Sequence, residues 1–423
     1  WTREAFAKLF DKHHICEETA DLNSEAFKFA TTKVLEVVGG RGARVLDLDE
    51  VKKPWDTSPG YPYLTKFQTE EEFAEWDSRN NPSEYERAWE ALASKSIPQF
   101  FYYVFLKQEM LKMEKIQRNE MRGIYCMPAP IARSQARLDQ DLNEKLMDRA
   151  PQFGLCIGLS GTGDGPQSMA RHLGEAKYYH ESDFKRFDGT IPGWLLSYVR
   201  YLRTFGFGKL SVEDRRRCSA ISRILVEKYL VMASGDVAFV DKGNPSGQMS
   251  TSIDNCLVNM FVSHYVSFLV YGQVASSFRY IFYGDDRVVA MNVRPEPERE
   301  QAVLNTAFGM SIPPETSVVQ RVLSGISFCG FQFVSVEGRW RGRYKTDRIL
   351  SNLMRPVQRS STVMDYYLKL LCACILTVWD SPIFHQLYRA LGVVHRELHD
   401  TILPPVHWFF WVNGGGWTKN DNG

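Results

Sequence analysis

The sequence predicts an α+β protein, on three observations. Strand-forming and helix-forming segments alternate without a fixed order, which does not fit a doubly wound parallel sheet. No segment repeats and no low-complexity linker divides the chain, so subdomain boundaries must come from motif positions. Its 423 residues, 44% hydrophobic and 24% charged, suffice for two or three subdomains around a substantial shared core.

The elements follow in order. "DLNSEAFKFATTKVLEVVGG" (21–40) has an acidic start, apolar residues at helical spacing and a stop at Gly39 and Gly40, and predicts a helix. "DTSPGYPY" (56–63) is a turn-rich loop. Glu70 to Glu90 holds eight acids and two bases, which reads as a solvated helical face. The β-prone "QFFYYVF" (99–105) leads through a basic stretch to a helix in "RLDQDLNEKLMDRA" (137–150). "GLSGTGDG" (158–165) lacks the Lys-Ser/Thr of a phosphate loop and reads as a turn into a "PQSMARHL" helix. "AKYYHESDF" (176–184) is a strand ending in acids, followed by a helix in "GWLLSYVRYLRTF". Ser211 caps a long helix, "VEDRRRCSAISRILVEKYLVM" (212–232), with Glu213 and Asp214 in its first turn. "GNPSGQMSTSIDNCLVNMFVSHYVSFLVY" (243–271) is a Gly-rich loop running into another long helix that starts near Gly247. Two apolar strands come next, then a helix in "EREQAVLNTAFG" and short strands at "FCGFQFV" and "RWRGRY". From Asp347 the pattern is helical, ending in "VHWFFWV", an aromatic cluster suited to packing.

Composition excludes some classes. With 51 basic and 50 acidic residues the formal charge is +1, so only local patches speak of partners. Lys107 to Arg137 holds seven bases and three acids, and Arg339 to Arg359 seven bases and one acid. Eight cysteines without a C-x-x-C, the closest being Cys372 and Cys374, offer neither a zinc pattern nor a disulfide framework, which favours a reducing cytosolic setting. The nine histidines lack ligand spacing: His13 and His14 are adjacent, and His395 and His399 read as a surface helix face. No uninterrupted apolar run reaches the roughly 18 residues of a membrane span. "WTREAFAKLF" is no signal peptide, and a first residue other than Met points to a processed or excised chain.

The chemistry concentrates in "FRYIFYGDDRVVA" (278–290), where Asp285 and Asp286 sit between two strands in hairpin grammar. Alone, this pair reads first as an exposed Gly-Asp turn. "ESDFKRFDGTIP" adds Asp183 at a strand end and Asp188 five positions later. If that strand lies beside the hairpin, Asp183, Asp285 and Asp286 converge and need cations. Hard oxygen ligands suit Mg²⁺ or Mn²⁺, and two such ions about 3.5–4 Å apart clamp an in-line phosphoryl displacement. In "NPSGQMSTSIDN", Thr251 and Asn255 share a helix face and Ser246 projects from the loop before it, either as a hydroxyl-reading surface or as capping and packing. Lys107, Lys115, Arg118 and Arg122 are candidate cations for a triphosphate, with a charge-paired surface helix as the alternative. Arg341, Arg343 and Lys345 suit the phosphates of a nucleic-acid duplex.

At this point the sequence resembles the viral RNA-dependent RNA polymerases over most of its length and in the family's motif order. "DFKRFD" matches motif A, "SGQMSTSIDN" motif B and "YGDD" motif C; "SFCGFQF" resembles motif E, "TSPGYP" motif G and the Lys107 to Arg122 stretch motif F. "FDGTIP", "GNPSGQ", "YGDDR" and "SFCGF" are most similar to the astrovirus enzymes; picornavirus, calicivirus and sobemovirus polymerases share the core. The resemblance implies a right-hand fold with an antiparallel palm sheet and a helical thumb. It implies fingers over 1–175 and 205–245, palm over 176–204 and 246–340, and thumb over 341–423. Asp183 and Asp285 would hold two Mg²⁺ or Mn²⁺ ions with Asp286 assisting. Asp188 and Asn255, helped by Ser246 and Thr251, would read the ribose 2′-OH. Gly247 would let its loop flex, and Ser58, Gly60, Cys329 and Gly330 would guide template and primer.

The implied partners are an RNA template, its product and NTPs; a viral protein primer and self-association stay open. The implied location is the host cytoplasm, at replication complexes that other viral proteins attach to membranes. One departure stands out: motif D usually carries a lysine, but "MSIPPETSVVQRV" has none, leaving Thr316 in its place and Arg321 too basic to donate a proton. The rivals are a reverse transcriptase, which would exclude the 2′-OH with a bulky side chain, and a non-catalytic RNA-binding scaffold.

Overall fold

The computed structural model describes residues 2–13, 18–94, 99–356, 361–398 and 401–414. His14, His399 and Arg359 lie outside them. Strands are numbered along the chain. The sheet that carries the acids has the order β6–β7–β3–β8, from Arg279–Tyr283 (β6), Asp286–Met291 (β7), Tyr178–Ser182 (β3) and Val318–Gln320 (β8), all antiparallel. A second sheet, β2–β1–β4–β5, joins Phe101–Leu106 (β1) and Gly123–Cys126 (β2) to Lys228–Met232 (β4) and Val237–Val240 (β5). There β1 and β4 run parallel, so the segment after the Gly193–Arg203 helix returns to the sheet begun by the N-terminal third. A third sheet holds Ser327–Phe328 (β9), Phe331–Val336 (β10) and Arg339–Tyr344 (β11).

The helix Thr251–Tyr271 is the central pillar. It packs against the Glu25–Val38 helix and the acid-bearing sheet within the largest apolar cluster, which includes Val34, Leu257, Phe261, Phe282 and Phe308. By length and composition the stretch Thr251–Ser277 could cross a membrane, but 89% of its apolar window is buried inside the protein. The C-terminal helices, Thr346–Met354, Val363–Thr377, Ser381–His395 and Val406–Val412, build their own core around Phe384, Leu391 and Phe409, so "VHWFFWV" packs as expected.

Four expectations need correction. The long helix stops at Val226, and "KYLVM" is β4, because alternate residues of that β-branched and aromatic run pack inward. Lys228 enforces the stop: its buried ammonium donates to the carbonyls of Leu225, Val226, Lys242 and Gly243 at 2.8–2.9 Å, taking up helix-end acceptors. The "RLDQDL" helix begins earlier, at Ala129, whose N–H donates to Pro59 O at 2.8 Å. The motif B helix starts at Thr251 rather than near Gly247. The acidic 70–90 segment is not wholly solvated: Glu70 is fully buried against Arg133 and Lys53, and Asp77 accepts from the N–H groups of Glu84 and Tyr85 at the next helix start.

Candidate active site

The β6–β7 hairpin turns at Gly284 and Asp285, with Gly284 at φ +61°, where glycine carries no Cβ penalty. Ser182 of β3 lies opposite Arg287 of β7, so antiparallel register sets Asp183 beside Asp286. The hairpin tip is tied down by the central helix. Asn259 Nδ2 donates to the carbonyls of Gly284 at 3.0 Å and Asp285 at 3.1 Å, and the Gly284 N–H donates to Cys256 Sγ at 3.1 Å. Beneath it, buried Arg287 donates to Ser182 Oγ (2.6 Å), Ser263 Oγ (2.8 Å) and Glu300 (3.2 Å), joining both acid-bearing strands to two helices.

The three acids are electrostatically unsatisfied. Lost solvation in the cleft, followed by the charges of Asp286, Asp188 and Asp183, pushes Asp285 up to about 6. Lost solvation and the charge of Asp183 raise Asp286, partly offset by contacts from Cys329. Asp183 is raised by lost solvation and pulled back by Lys115. Among the described residues no three His, Cys, Asp or Glu side chains form a ready-made metal cage. The donor set fits hard cations shared with phosphate oxygens instead: carboxylates only, mutually repelling and reachable from solvent.

Asp188 lies at the centre of a second constellation. Ser246 Oγ donates to its Oδ2 at 2.7 Å, and Asn255 Nδ2 to its Oδ1 at 2.7 Å. Asn244 donates to Asn255 Oδ1 at 2.8 Å, fixing which way that amide points. Thr251 does not join them: its hydroxyl donates to the carbonyls of Gln248 (2.7 Å) and Pro245 (3.2 Å) and closes the turn into the helix. Gly247 needs to be glycine, with φ +118° and a Cβ position 3.0 Å from the Tyr125 carbonyl oxygen. Lys12, which the sequence did not flag, is half-buried with its ammonium 5.2 Å from the Tyr125 ring centre, close enough for Asp188 to act on its charge.

The basic stretch is not a long surface helix; only Met113–Gln117 is helical, and the Lys107 N–H donates to Arg122 O at 2.7 Å. Arg122 pairs with Glu109, and Asp188 and Asp285 also act on its charge. Lys107 lies 3.9 Å from Glu109, and Arg118 is exposed where the short helix ends. Gly60 is buried against the Met127 carbonyl and its N–H donates to Ser58 Oγ at 3.3 Å, so its place is in packing. Cys329 (φ +48°) and Gly330 (φ +81°) form the β9–β10 turn, which brings Cys329 to Asp286. Arg343 and Lys345 are exposed, but Arg341 is buried with its guanidinium on the Gly414 carbonyl, so it cannot face a duplex. Thr316 Oγ1 donates to Pro313 O at 2.7 Å and lies 3.4 Å from Asp183 O. Arg321 stacks 5.6 Å from the Tyr178 ring centre, at the far end of β3 from Asp183.

The family model for viral RNA-dependent RNA polymerase matches residues 12–381. This chain belongs to that family. Its relatives include the non-structural polyproteins 1AB of turkey astrovirus 1, 30% identical over 399 residues (89% of this chain, 24% of the relative), and avian nephritis virus 1, 29% identical over 405 (90% and 26%). That of human astrovirus-1 is 27% identical over 421 residues (96% and 29%). The chain thus spans about a quarter of the length of these polyproteins. Its fold matches the solved Sicinivirus 3Dpol RNA dependent RNA polymerase with a TM-score of 0.78 at 15% identity, covering 96% of this chain and 88% of that one. The viral polymerase is therefore an RNA-directed RNA polymerase with a right-hand α+β fold, and family membership decides against both reverse transcriptase and passive scaffold.

Proposed function

We propose that the polymerase extends RNA at the cleft lined by Asp183, Asp285 and Asp286, with Asp183 and Asp285 as the ligands of two Mg²⁺ or Mn²⁺ ions and Asp286 in support. The observation that carries this reading is the convergence of three carboxylates at one sheet end, with Asp285 pushed up to about 6 by its surroundings. Asp183 and Asp285 would hold the ions, which would supply a lowered pKa for the primer 3′-OH and offset charge on the leaving pyrophosphate. Asn259 and Cys256 hold the hairpin tip so that the acids need not reorganise. Asp188, oriented by Ser246 and Asn255, accepts the hydrogen bond of a ribose 2′-OH. Lys115 and Arg122 receive the triphosphate, with Lys107 and Arg118 farther along its path. Arg343 and Lys345 hold the product backbone without reading bases.

In this reading the fingers comprise 1–175 and 205–245, the palm 176–204 and 246–340, and the thumb 341–423. The parallel β1–β4 pairing supports a single fingers sheet drawn from both fingers segments. The substrates are template RNA and NTPs, and the biological role is copying a viral RNA genome in the host cytoplasm, within membrane-attached replication complexes. Primer extension on homopolymeric RNA, with Mg²⁺ or Mn²⁺ and with ribo- or deoxyribonucleotides, tests it. Metal-dependent incorporation that prefers ribonucleotides is expected; extension in EDTA, or equal use of both sugars, would refute the site assignment.

A further inference from the structure

A cleft of about 610 Å³ opens between the Gly193–Arg203 and Val212–Val226 helices. It is distinct from the acid cleft and shares none of its residues. Its volume suits a small ligand. Tyr201 and Phe205 line it as an edge-to-face pair 5.4 Å apart, and both are about half exposed, at 57% and 49%. Such aromatic faces stack on a planar ring. Lys209 and Arg215 also line it, are exposed, and among the described residues have no carboxylate within ion-pair distance. Arg223 is neutralised by Glu227 at 2.7 Å, so the cleft keeps uncompensated positive charge beside an aromatic wall.

The inner wall is Arg200, and it leads elsewhere. Its Nε donates to Ser222 Oγ (3.3 Å), which also lines the cleft, while Nη1 donates to Asp254 Oδ2 (2.9 Å). From Asp254 the bonds continue through Gln248 Nε2 (3.0 Å), Asn244 Oδ1 (3.1 Å) and Asn255 Oδ1 (2.8 Å) to Asp188 (2.7 Å). We propose that this cleft is a second nucleotide site, taking a nucleoside phosphate with its base on Tyr201 and Phe205 and its phosphates on Lys209 and Arg215, and that occupancy adjusts ribose selection through Arg200. The coupling half rests on Asp188 and Asn255 being the sugar-reading pair; the binding half does not.

The test uses the full chain and guanosine diphosphate bearing a ribose-linked fluorophore, followed by anisotropy in EDTA. Wild type and Asp285→Asn are expected to bind alike, and Lys209→Ala/Arg215→Ala to bind at least about tenfold more weakly. Tyr201→Ala, also on the surface, should weaken binding without removing charge. Unchanged binding by the double variant, or loss that follows Lys107→Ala/Arg122→Ala instead, overturns the site. For coupling, unlabelled guanosine diphosphate, which poly(rA) does not template, is added during UTP or dUTP incorporation. A shift of at least about fivefold in sugar preference is expected in wild type and none in the double variant. No shift in wild type overturns the effector role. If Asn255→Ala leaves sugar preference untouched while nucleotide binding follows Lys209 and Arg215, the sugar-reading assignment fails and the site stands.

Discussion

Two groups of carboxylates, tied to the same helix, are treated in opposite ways. Asp139 and Asp254 are buried, yet Arg200 and Arg203 meet them at 2.8–3.4 Å, and Gln248, Gln135 and Ser250 take their remaining lone pairs. Burial alone would raise Asp139; the two guanidiniums pull it well below the usual carboxylate range. Asp183, Asp285 and Asp286 have no comparable partner and are all raised. The closed cluster joins three helices and is structural. The open one stores repulsion that only an incoming cation relieves, which is what distinguishes a site from a scaffold when residue types are the same.

Breaking each cluster should therefore give different signatures. The largest effect is expected from Asp285→Ala or Asp183→Ala, which should lower nucleotide incorporation by at least about a thousandfold while leaving RNA binding and thermal stability near wild type. Primer extension beside a filter-binding assay checks this, and robust synthesis by either variant would sink the metal assignment. Asp254→Ala should do the reverse in kind: it leaves two buried guanidiniums to share the one carboxylate of Asp139 and should cost about 3–5 kcal/mol of stability. Denaturant unfolding measures it, and a loss under about 1 kcal/mol would mean the cluster is more hydrated than its burial indicates.

The open cluster was more legible in the sequence than the closed one, for a physical reason. Hairpin grammar and strand-end acids are local patterns, so Asp183, Asp285 and Asp286 could be brought together by one assumption, that β3 lies beside β7. Ser246, Asp188 and Asn255 were readable once the loop–helix junction was placed. Asn259 had a usable signal, an amide four positions after Asn255 and so on the same helix face. Lys12 had none, because it reaches Asp188 from 176 positions away. Arg200, Arg203 and Asp139 carry no local signal of their pairing, since partners from other elements decide their burial. The same non-local pairing buried Glu70 and turned "KYLVM" into a strand. Arg341 shows the converse error: Arg339, Arg341 and Arg343 share one strand face, and a non-local contact with the Gly414 carbonyl accompanies the burial of Arg341, while composition counts all three as a basic patch.

A smaller effect should come from the Asp188 constellation, which borders both clusters. Asn255→Ala removes the amide that orients Asp188 without touching the acids. It should reduce the preference for UTP over dUTP by about 10- to 100-fold, with most of the loss in ribonucleotide use, because a hydrogen bond to the substrate hydroxyl is misaligned. Side-by-side kinetics on poly(rA) decide it; an unchanged ratio would assign sugar choice to other residues.

The smallest expected effect tests the stored repulsion itself. Asp285 has a folded-state pKa of about 6, above its ordinary value of 3.8, so the folded protein holds this proton more tightly than the unfolded chain. Ionising Asp285 without metal therefore costs stability as pH rises from about 4 to about 6, and the full cost remains above that. Asp285→Asn should raise the metal-free melting temperature above pH 6, by an amount on the order of 1 °C, and change nothing below pH 4. Metal competes with the same proton, so the apparent Mg²⁺ affinity of wild type should fall by up to about tenfold per pH unit below about 6. Melting curves in EDTA at several pH values read the first arm, and Mg²⁺ titration of activity reads the second. A stabilising Asp285→Asn that is independent of pH would show that neutral packing, not charge, is at work. A pH-dependent one would place the penalty in the open cluster, where the closed cluster has none to relieve.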